Sequence, residues 1–262
     1  MPSTAPPARV TLRAHAKTST YASHALDAIA RISNATAPPA LLEALANATA
    51  AIGASASLYA AAVPEGRPEP TCLSLFAGHP AYVCAQNDLG SLLVHPWFRF
   101  ARTHSIAGSN RRVHIDTAPD LAAIELASRY GFRSCFIVPT PAGIDLQRTE
   151  MLCLGCEEED AFEGAEARVV RTLARALAAE LHDWLTRYLQ RRMREHARLD
   201  ASDVSLLALE LKGLGTKEIA QLTGLSLASV DSRFHRINVR LHCTSRRASA
   251  NLASAYGLME LA

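Results

Sequence analysis

The chain has 262 residues, of which 49% are hydrophobic and 20% charged, and its net charge is +2. These values are ordinary for a globular protein with one large domain, or with one medium and one small domain. No run of 18 apolar residues and no secretory signal occurs, which excludes a transmembrane helix and predicts a cytoplasmic protein.

The first twenty residues contain three prolines and no acidic residue. They lack the apolar stretch of a secretory signal, and an organellar transit peptide is the alternative interpretation of their composition. We favour a disordered tail over residues 1–20.

Residues 21–189 alternate between helical and extended patterns. Apolar spacing and turn residues predict helices over residues 21–33, 38–52, 80–93 and 119–130, and strands over 55–63, 71–76, 135–139 and 150–155. His95-Pro96 is expected to break the third helix, and Gly131 to end the fourth. The order of helices, strands, helices and strands predicts an αβα sandwich around a mainly antiparallel sheet.

A long amphipathic helix is predicted over about residues 163–194. Its apolar positions recur at spacings of three and four: Val170, Leu173, Leu177 and Leu181. This stripe is longer than one domain face needs, so we expect the helix to pack against a second copy in a homodimer. The polar stretch 190–198 is predicted to be a linker.

Six cysteines are scattered along the chain, which argues against the disulfide framework of a small secreted protein. Cys153 and Cys156 have CxxC spacing, but a zinc site needs a second pair of ligands and none is present. We interpret the pair as core thiols, with a redox or metal role as the alternative, and predict no cofactor or metal.

The C-terminal quarter is the more basic part of the chain. Residues 190–262 carry eleven Lys and Arg against seven Asp and Glu, a net charge of +4, whereas the remainder has a net charge of −2. A small basic module on a slightly acidic body fits a nucleic-acid binder.

Four helices are predicted within residues 199–262. The first starts at Asp200 or Ser202 as the cap, and the second is short and capped by Thr216. The third starts after Gly224 with Ser226 as the cap, and the fourth covers 246–256. The expected inward positions are Val204, Leu207, Leu211, Ile219, Ala220, Leu222, Val230, Phe234, Ile237 and Leu241.

Helix, glycine turn, helix is the geometry that places a second helix in the DNA major groove. Arginine can pair with guanine edges or phosphates, and serine hydroxyls and helix N-termini can hold phosphates. The predicted DNA-binding residues are Thr216, Lys217, Ser226, Ser229, Asp231, Ser232, Arg233, His235 and Arg236. A four-helix structural module without nucleic acid is the alternative.

This module resembles the C-terminal DNA-binding domain of the LuxR family of bacterial regulators over nearly all of residues 199–261. The family has an acidic residue, a Leu and a Gly at a fixed spacing, which correspond here to Asp203, Leu207 and Gly213. Asp203 replaces the usual Glu. Glu218-Ile219-Ala220 and Ser226–Val230 match two further family patterns. Asp231 stands where the family usually has Lys or Arg, and an acid there cannot help to hold a phosphate but can accept a hydrogen bond from cytosine.

The first domain lacks the acids and lysine of a phosphorylation receiver. Its expected fold, the stretch LASRYGFRSCFIVPTPAG and the domain order resemble the autoinducer-binding domain of quorum-sensing regulators. The resemblance implies ligand-binding positions at Tyr82, Gln86, His95, Asn110 and Cys135. All five differ from the family's usual residue, whereas Pro96 matches the family pattern.

These five residues are polar groups in an apolar setting, as a small-molecule site requires. A neutral His95 can accept a hydrogen bond where the family uses Asp, and Tyr82 can donate where it uses Trp. Four of them also have a structural interpretation: Tyr82 as a core aromatic, Gln86 as helix surface, His95 as a turn residue and Cys135 as packing. Trp97 and Trp184 are expected to serve packing.

The sequence therefore predicts an α+β protein: an autoinducer-binding-like αβα domain over 21–189, followed by an all-α helix-turn-helix domain over 199–262. Its function is that of a LuxR-type regulator that senses a small molecule and binds a two-fold-symmetric operator as a dimer. A regulator whose first domain only dimerises is the alternative. An enzyme fused to a DNA-binding module is disfavoured, because no nucleophile and base motif occurs. The expected partners are double-stranded DNA, a second copy, a possible small-molecule signal and, for an activator, RNA polymerase; no membrane is expected.

Overall fold

The structure, a computed structural model, describes residues 12–63, 70–141 and 148–258. The chain forms two compact units, each drawn from several parts of the sequence. Within the described ranges, the first unit comprises residues 12–60, 74–140 and 151–181. The second comprises 61–63, 70–73, 141, 148–150 and 182–258, so it holds strand ends as well as the C-terminal helices.

The helices and strands follow closely from the sequence pattern. The helices are α1 Leu12–His15, α2 Tyr21–Ala30, α3 Pro38–Ile52, α4 Ala81–Leu89, α5 Pro96–Thr103, α6 Ala118–Ser128, α7 Arg168–Ala197, α8 Ala201–Leu211, α9 Thr216–Thr223, α10 Leu227–Arg240 and α11 Arg246–Ala255. The strands are β1 Ala56–Val63, β2 Thr71–Ala77, β3 Gly108–Ser109, β4 Ser134–Pro141 and β5 Thr149–Cys156. In the part of the chain that the structure describes, no helix has both the length and the apolar character that a membrane crossing requires.

The strands form one five-stranded sheet in the order β2-β1-β5-β4-β3. β3 runs antiparallel to β4 with Gly108 opposite Ile137, whereas β2 at the other edge is only half-buried. The interior strands β1 and β5 are buried along nearly their whole length, as expected of strands covered on both faces. The predicted class, a mixed helix and sheet fold followed by a helical part, is confirmed.

Part of the segment predicted to be a disordered tail, residues 1–20, is ordered. α1 starts at Leu12, whose side chain is 2% exposed and whose backbone N–H donates to the Glu158 carboxylate. Residues 1–11 lie outside the described residues. An apolar side chain gains stability by burial, which is the physical reason for order from Leu12 onward.

His95-Pro96 starts a helix that the sequence did not predict. The imidazole Nδ1 of His95 accepts from the backbone N–H of Trp97 at 3.2 Å and caps α5, and Pro96 occupies the first helical position. At eight residues, α5 is too short to show a recurring apolar pattern. It buries Trp97 and Phe98 in the first unit.

The apolar stripe of α7 is buried within one chain. Val170, Leu173, Leu177 and Leu181 are each at most 3% exposed. These side chains are therefore already buried in the chain's own core. Contrary to the interpretation from the sequence, they give no argument for a dimer.

The stretch 190–198, predicted to be a linker, is mostly helix. α7 continues to Ala197, and Arg198 then takes a left-handed backbone conformation with φ of 46°. Met193 and Ala197 are buried in the core of the second unit with Leu206 and Leu207 of α8. This segment is therefore part of a packed helix and not a free linker.

A buried ion pair lies beside the second half of α7. The side chains of Arg148 and Glu150 are both 0% exposed and contact each other, and His182 Nδ1 lies 2.9 Å from the other carboxylate oxygen of Glu150. Arg148 also donates to the Thr186 hydroxyl and, at 3.1 Å, to the carbonyl of Ala255 at the end of α11. We call these five residues the Arg148 network.

Candidate functional site

The C-terminal helices enclose a core of their own in the second unit. Its buried side chains include Leu206, Leu207, Ile219, Val230, Phe234, Ile237, Leu241, Ala250, Ala253 and Leu258. Asp200 is the cap of α8, since its carboxylate accepts from the backbone N–H of Asp203 at 2.7 Å. Leu222, predicted to face inward, is 67% exposed, because Ile219 is the residue by which two-turn α9 enters the core.

α9 and α10 form the helix-turn-helix that the sequence predicts. Gly224 joins them with φ of 70°, a conformation that favours glycine, and the Ser226 hydroxyl accepts from the backbone N–H of Ser229 at 3.1 Å. Because the cap uses one backbone N–H of the first turn of α10, the remaining N–H groups keep the partial positive charge of a helix N-terminus.

Thr216 is not the cap that the sequence predicts. Gly215 occupies the cap position, and its N–H donates to the Glu218 carboxylate at 2.7 Å. The Thr216 hydroxyl instead donates to Asp231 at 3.4 Å and accepts from Arg246 at 2.8 Å. The hydroxyl thus ties the start of α9 to α10 and α11.

The outer face of α10 carries most of the predicted DNA-binding residues. Asp231, Ser232, His235 and Arg236 are exposed, and so is Lys217 on α9. Ser226 is exposed at the start of α10, and Ser229 is half-buried. This exposed set is what we call the helix-turn-helix surface.

Arg233, also predicted to lie on that surface, faces α8 instead. Its guanidinium is 27% exposed, donates to the Ser202 hydroxyl at 2.5 Å and lies 3.8 Å from the Asp203 carboxylate. Arg240, two turns further along α10, pairs with the other oxygen of Asp203 at 3.3 Å. Both arginines therefore hold α10 against the start of α8, because their positions lie between the buried and the outer face.

Arg246 is a positioning residue that the sequence did not reveal. It pairs with Glu210 at 3.0 Å, donates to Thr216 and lies over the Phe234 ring at 5.6 Å. These contacts join residues 12 to 36 positions away in the chain, so no local pattern could predict them.

In the first unit, three of the predicted ligand positions are buried together. Tyr82, Gln86 and His95 are 1%, 5% and 2% exposed, which excludes the helix-surface interpretation of Gln86. The ring centroid of Phe132 lies 5.7 Å from that of Tyr82 and 5.0 Å from that of Trp97, and the centroids of Trp97 and His95 are 4.5 Å apart.

Asn110 and Cys135 lie beside this group. The buried Cys135 at the start of β4 donates its backbone N–H to the Asn110 side chain at 3.3 Å. The thiols of Cys135 and Cys153 are close enough to Tyr82 to contribute to the rise of its pKa, which is caused mainly by burial. Burial also raises the pKa of Cys153 and Cys156, as expected of core thiols.

Four buried side-chain atoms of this group have no hydrogen-bond partner among the described residues. They are Tyr82 Oη, Gln86 Oε1, His95 Nε2 and Trp97 Nε1. We call Tyr82, Gln86, His95 and Trp97 the buried polar cluster. Trp97 was expected to serve packing, and its buried indole N–H has no partner among the described residues.

The cluster is electrically neutral near pH 7. Burial lowers the pKa of His95 to about 4, while Asp120 raises it and Arg99 lowers it to a smaller extent. Arg99 and Asp120 pair through two hydrogen bonds of 2.8 Å, which keep the pKa of the Asp120 carboxyl below its ordinary value. Among residues 12–63, 70–141 and 148–258, no group of three His, Cys, Asp or Glu side chains could hold a metal ion.

The burial of His95 predicts a fall in stability at mildly acidic pH. Its ordinary pKa is 6.5 and its folded pKa about 4, so between these values the unfolded chain binds a proton that the folded chain does not. We expect the free energy of unfolding to fall by about 2 kcal/mol from pH 7 to pH 5, measured by urea unfolding.

The control variant is His95→Asn, since Asn can also cap α5 but does not titrate. Asp120 acts in a separate window, because its lowered pKa adds stability that is lost only below its ordinary value of 3.8. If the free energy of unfolding fell equally between pH 7 and pH 5 in both proteins, His95 would not be the source of the pH dependence.

The fold is similar to those of solved bacterial proteins. SdiA from Escherichia coli matches with a TM-score of 0.67 at 12% identity, over 90% of this chain and 98% of that chain. SdiA in complex with octanoyl-rac-glycerol also has a TM-score of 0.67, at 11% identity over 93% and 98%. CepR2 from Burkholderia cenocepacia, an N-acylhomoserine lactone dependent LuxR family transcription factor, has a TM-score of 0.50 at 18% identity, over 63% of this chain and 94% of that chain. No family model and no curated protein matches the sequence.

Proposed function

We propose that the chain is a LuxR-type transcription regulator that binds double-stranded DNA through α9 and α10. The observation that carries this proposal is the capped helix after Gly224, whose outer face is polar and exposed at Asp231, Ser232, His235 and Arg236. The family patterns of residues 199–261 and the shared fold of SdiA and CepR2 support it. In the proposed organisation, residues 21–189 sense and residues 199–262 bind DNA.

The chemistry of the helix-turn-helix surface suits the DNA major groove. Arg236 can pair with a guanine edge, and Lys217 can neutralise a phosphate at the start of α9. Asp231 can accept from the amino group of cytosine, a contact that a phosphate-binding Lys or Arg could not make. The site we expect is therefore rich in G·C pairs where α10 meets the bases.

Small-molecule sensing by the first unit is the second part of the proposal. Buried polar atoms are normally paired, and an unpaired one destabilises the folded state. Four such atoms belong to the buried polar cluster, and dimerisation alone gives them no partner. They favour a ligand, which can supply the missing partners, over a ligand-independent regulator.

The test is selection of bound DNA from a random library, followed by sedimentation of the complex. We expect two half-sites related by two-fold symmetry and two chains per site, because a symmetric dimer reads a palindrome. A monomer both free and on DNA would contradict the dimer, and failure to enrich any sequence would contradict DNA recognition. For an activator, RNA polymerase is the further partner.

A further inference from the structure

The unpaired atoms of the buried polar cluster are mostly hydrogen-bond donors. His95 Nδ1 accepts from the Trp97 backbone N–H at 3.2 Å, so in the neutral ring the proton is on Nε2. His95 Nε2 is therefore a donor. This reverses the expectation from the sequence, in which a neutral His95 accepts a hydrogen bond from the ligand.

Two further members of the cluster also present hydrogens. Trp97 Nε1 can only donate, and the Tyr82 hydroxyl can donate as well as accept. Gln86 is the exception, because its Nε2 donates to the Gly90 carbonyl at 3.5 Å and leaves Oε1 as an acceptor. A matching ligand thus needs several acceptors and at most one or two donors.

The charge around the cluster argues for a neutral ligand. Arg99, the cation whose charge influences His95, already makes two hydrogen bonds to Asp120. A buried anion would therefore meet donors without a free counter-charge, which is unfavourable in an apolar interior. The rings of Phe76 and Phe132, 4.9 Å and 5.7 Å from Tyr82, supply apolar contact surface.

From this geometry we infer that the first unit binds a neutral apolar compound whose polar end presents oxygen acceptors, such as an ester or a ketone. The inference rests on the proposed function, in which this unit senses a small molecule. It names the class of signal: acceptor-rich and uncharged, with no need for an amide N–H.

The first test compares three probes of equal chain length: methyl octanoate, octanoate and octylammonium. The sequence contains two tryptophans, so a Trp184→Phe variant leaves Trp97 as the reporter inside the cluster. We expect methyl octanoate to shift Trp97 emission and to bind at least about tenfold more tightly than either ion. Tighter binding of octanoate or octylammonium, or no binding of the ester, would overturn the inference.

The second test uses Tyr82→Phe, which removes a buried hydroxyl that is unpaired within the described residues. The thermal midpoint of the ligand-free protein should rise by about 2–4 °C, while the affinity for methyl octanoate falls about tenfold. Tyr130→Phe is the matched control, since that ring also contacts Tyr82 but is half-buried, and it should change neither quantity much.

A lower midpoint for Tyr82→Phe would show that the hydroxyl is a structural group and would overturn its assignment to a ligand. DNA binding by the same preparations is measured in parallel. If the protein binds DNA but the probes do not bind as expected, only the ligand class is refuted. If the unmodified protein does not bind DNA, the proposed function is refuted.

Discussion

Replacement of Glu150 by Gln should lower the free energy of unfolding of the second unit by about 3–5 kcal/mol. The side chains of Glu150 and Arg148 are 0% exposed and form an ion pair. Without the carboxylate, the guanidinium would keep the Thr186 hydroxyl and the Ala255 carbonyl as partners, and neither carries a charge. An uncompensated buried cation is among the most destabilising defects that one substitution can create.

Urea unfolding followed by Trp184 fluorescence measures this effect. Trp184 lies in the second unit and is 6% exposed, and a Trp97→Phe background removes the other fluorophore. Glu195→Gln is the control, an exposed carboxylate on the same half of α7, for which we expect a change below about 0.5 kcal/mol. Equal small effects of both substitutions would show that the Arg148 network does not stabilise the unit.

Replacement of Arg236 by Ala should weaken binding to the selected DNA site by at least about tenfold and leave stability unchanged within about 0.5 kcal/mol. Arg236 is exposed on α10, where a guanidinium can reach base edges or phosphates. The measurement is fluorescence anisotropy at several salt concentrations, because loss of a phosphate contact reduces the salt dependence of binding.

Two matched arginine variants separate recognition from folding. Arg233→Ala removes the contacts to Ser202 and Asp203 and should lower stability by about 1 kcal/mol, because Arg233 holds α10 against α8. Arg192→Ala, an exposed position on α7, should alter neither quantity. An Arg236→Ala protein that binds like the unmodified protein would show that another face contacts DNA.

The C-terminal helices could be predicted from the sequence because their signals are local. Gly224 allows the left-handed turn, Ser226 caps α10, and the apolar positions of α10 recur with the helical period. The structure changes the interpretation of Thr216 and Arg233. Their roles depend on α8 and α11, which local patterns do not place next to them.

The buried polar cluster could be predicted only in part. The family pattern pointed to Tyr82, Gln86 and His95, and the structure buries all three. The hydrogen-bonding role of His95 could not be read from the sequence, because it depends on the cap that its Nδ1 makes to Trp97. The Arg148 network was also hidden, since Arg148 contacts a carbonyl 107 residues later in the chain.

The burial of Met193 and Ala197 with the C-terminal helices also limits the exchange of those helices between chains of this fold. A chimera joined at residue 198 would supply α8 to α11 with foreign side chains at two positions of their core. Each mismatch there would leave a cavity or a clash, and both reduce stability. A crossover upstream of residue 182 would transfer α7 residues 182–197 together with the helices they pack against, so exchanged C-terminal parts should be most stable when that half of α7 moves with them.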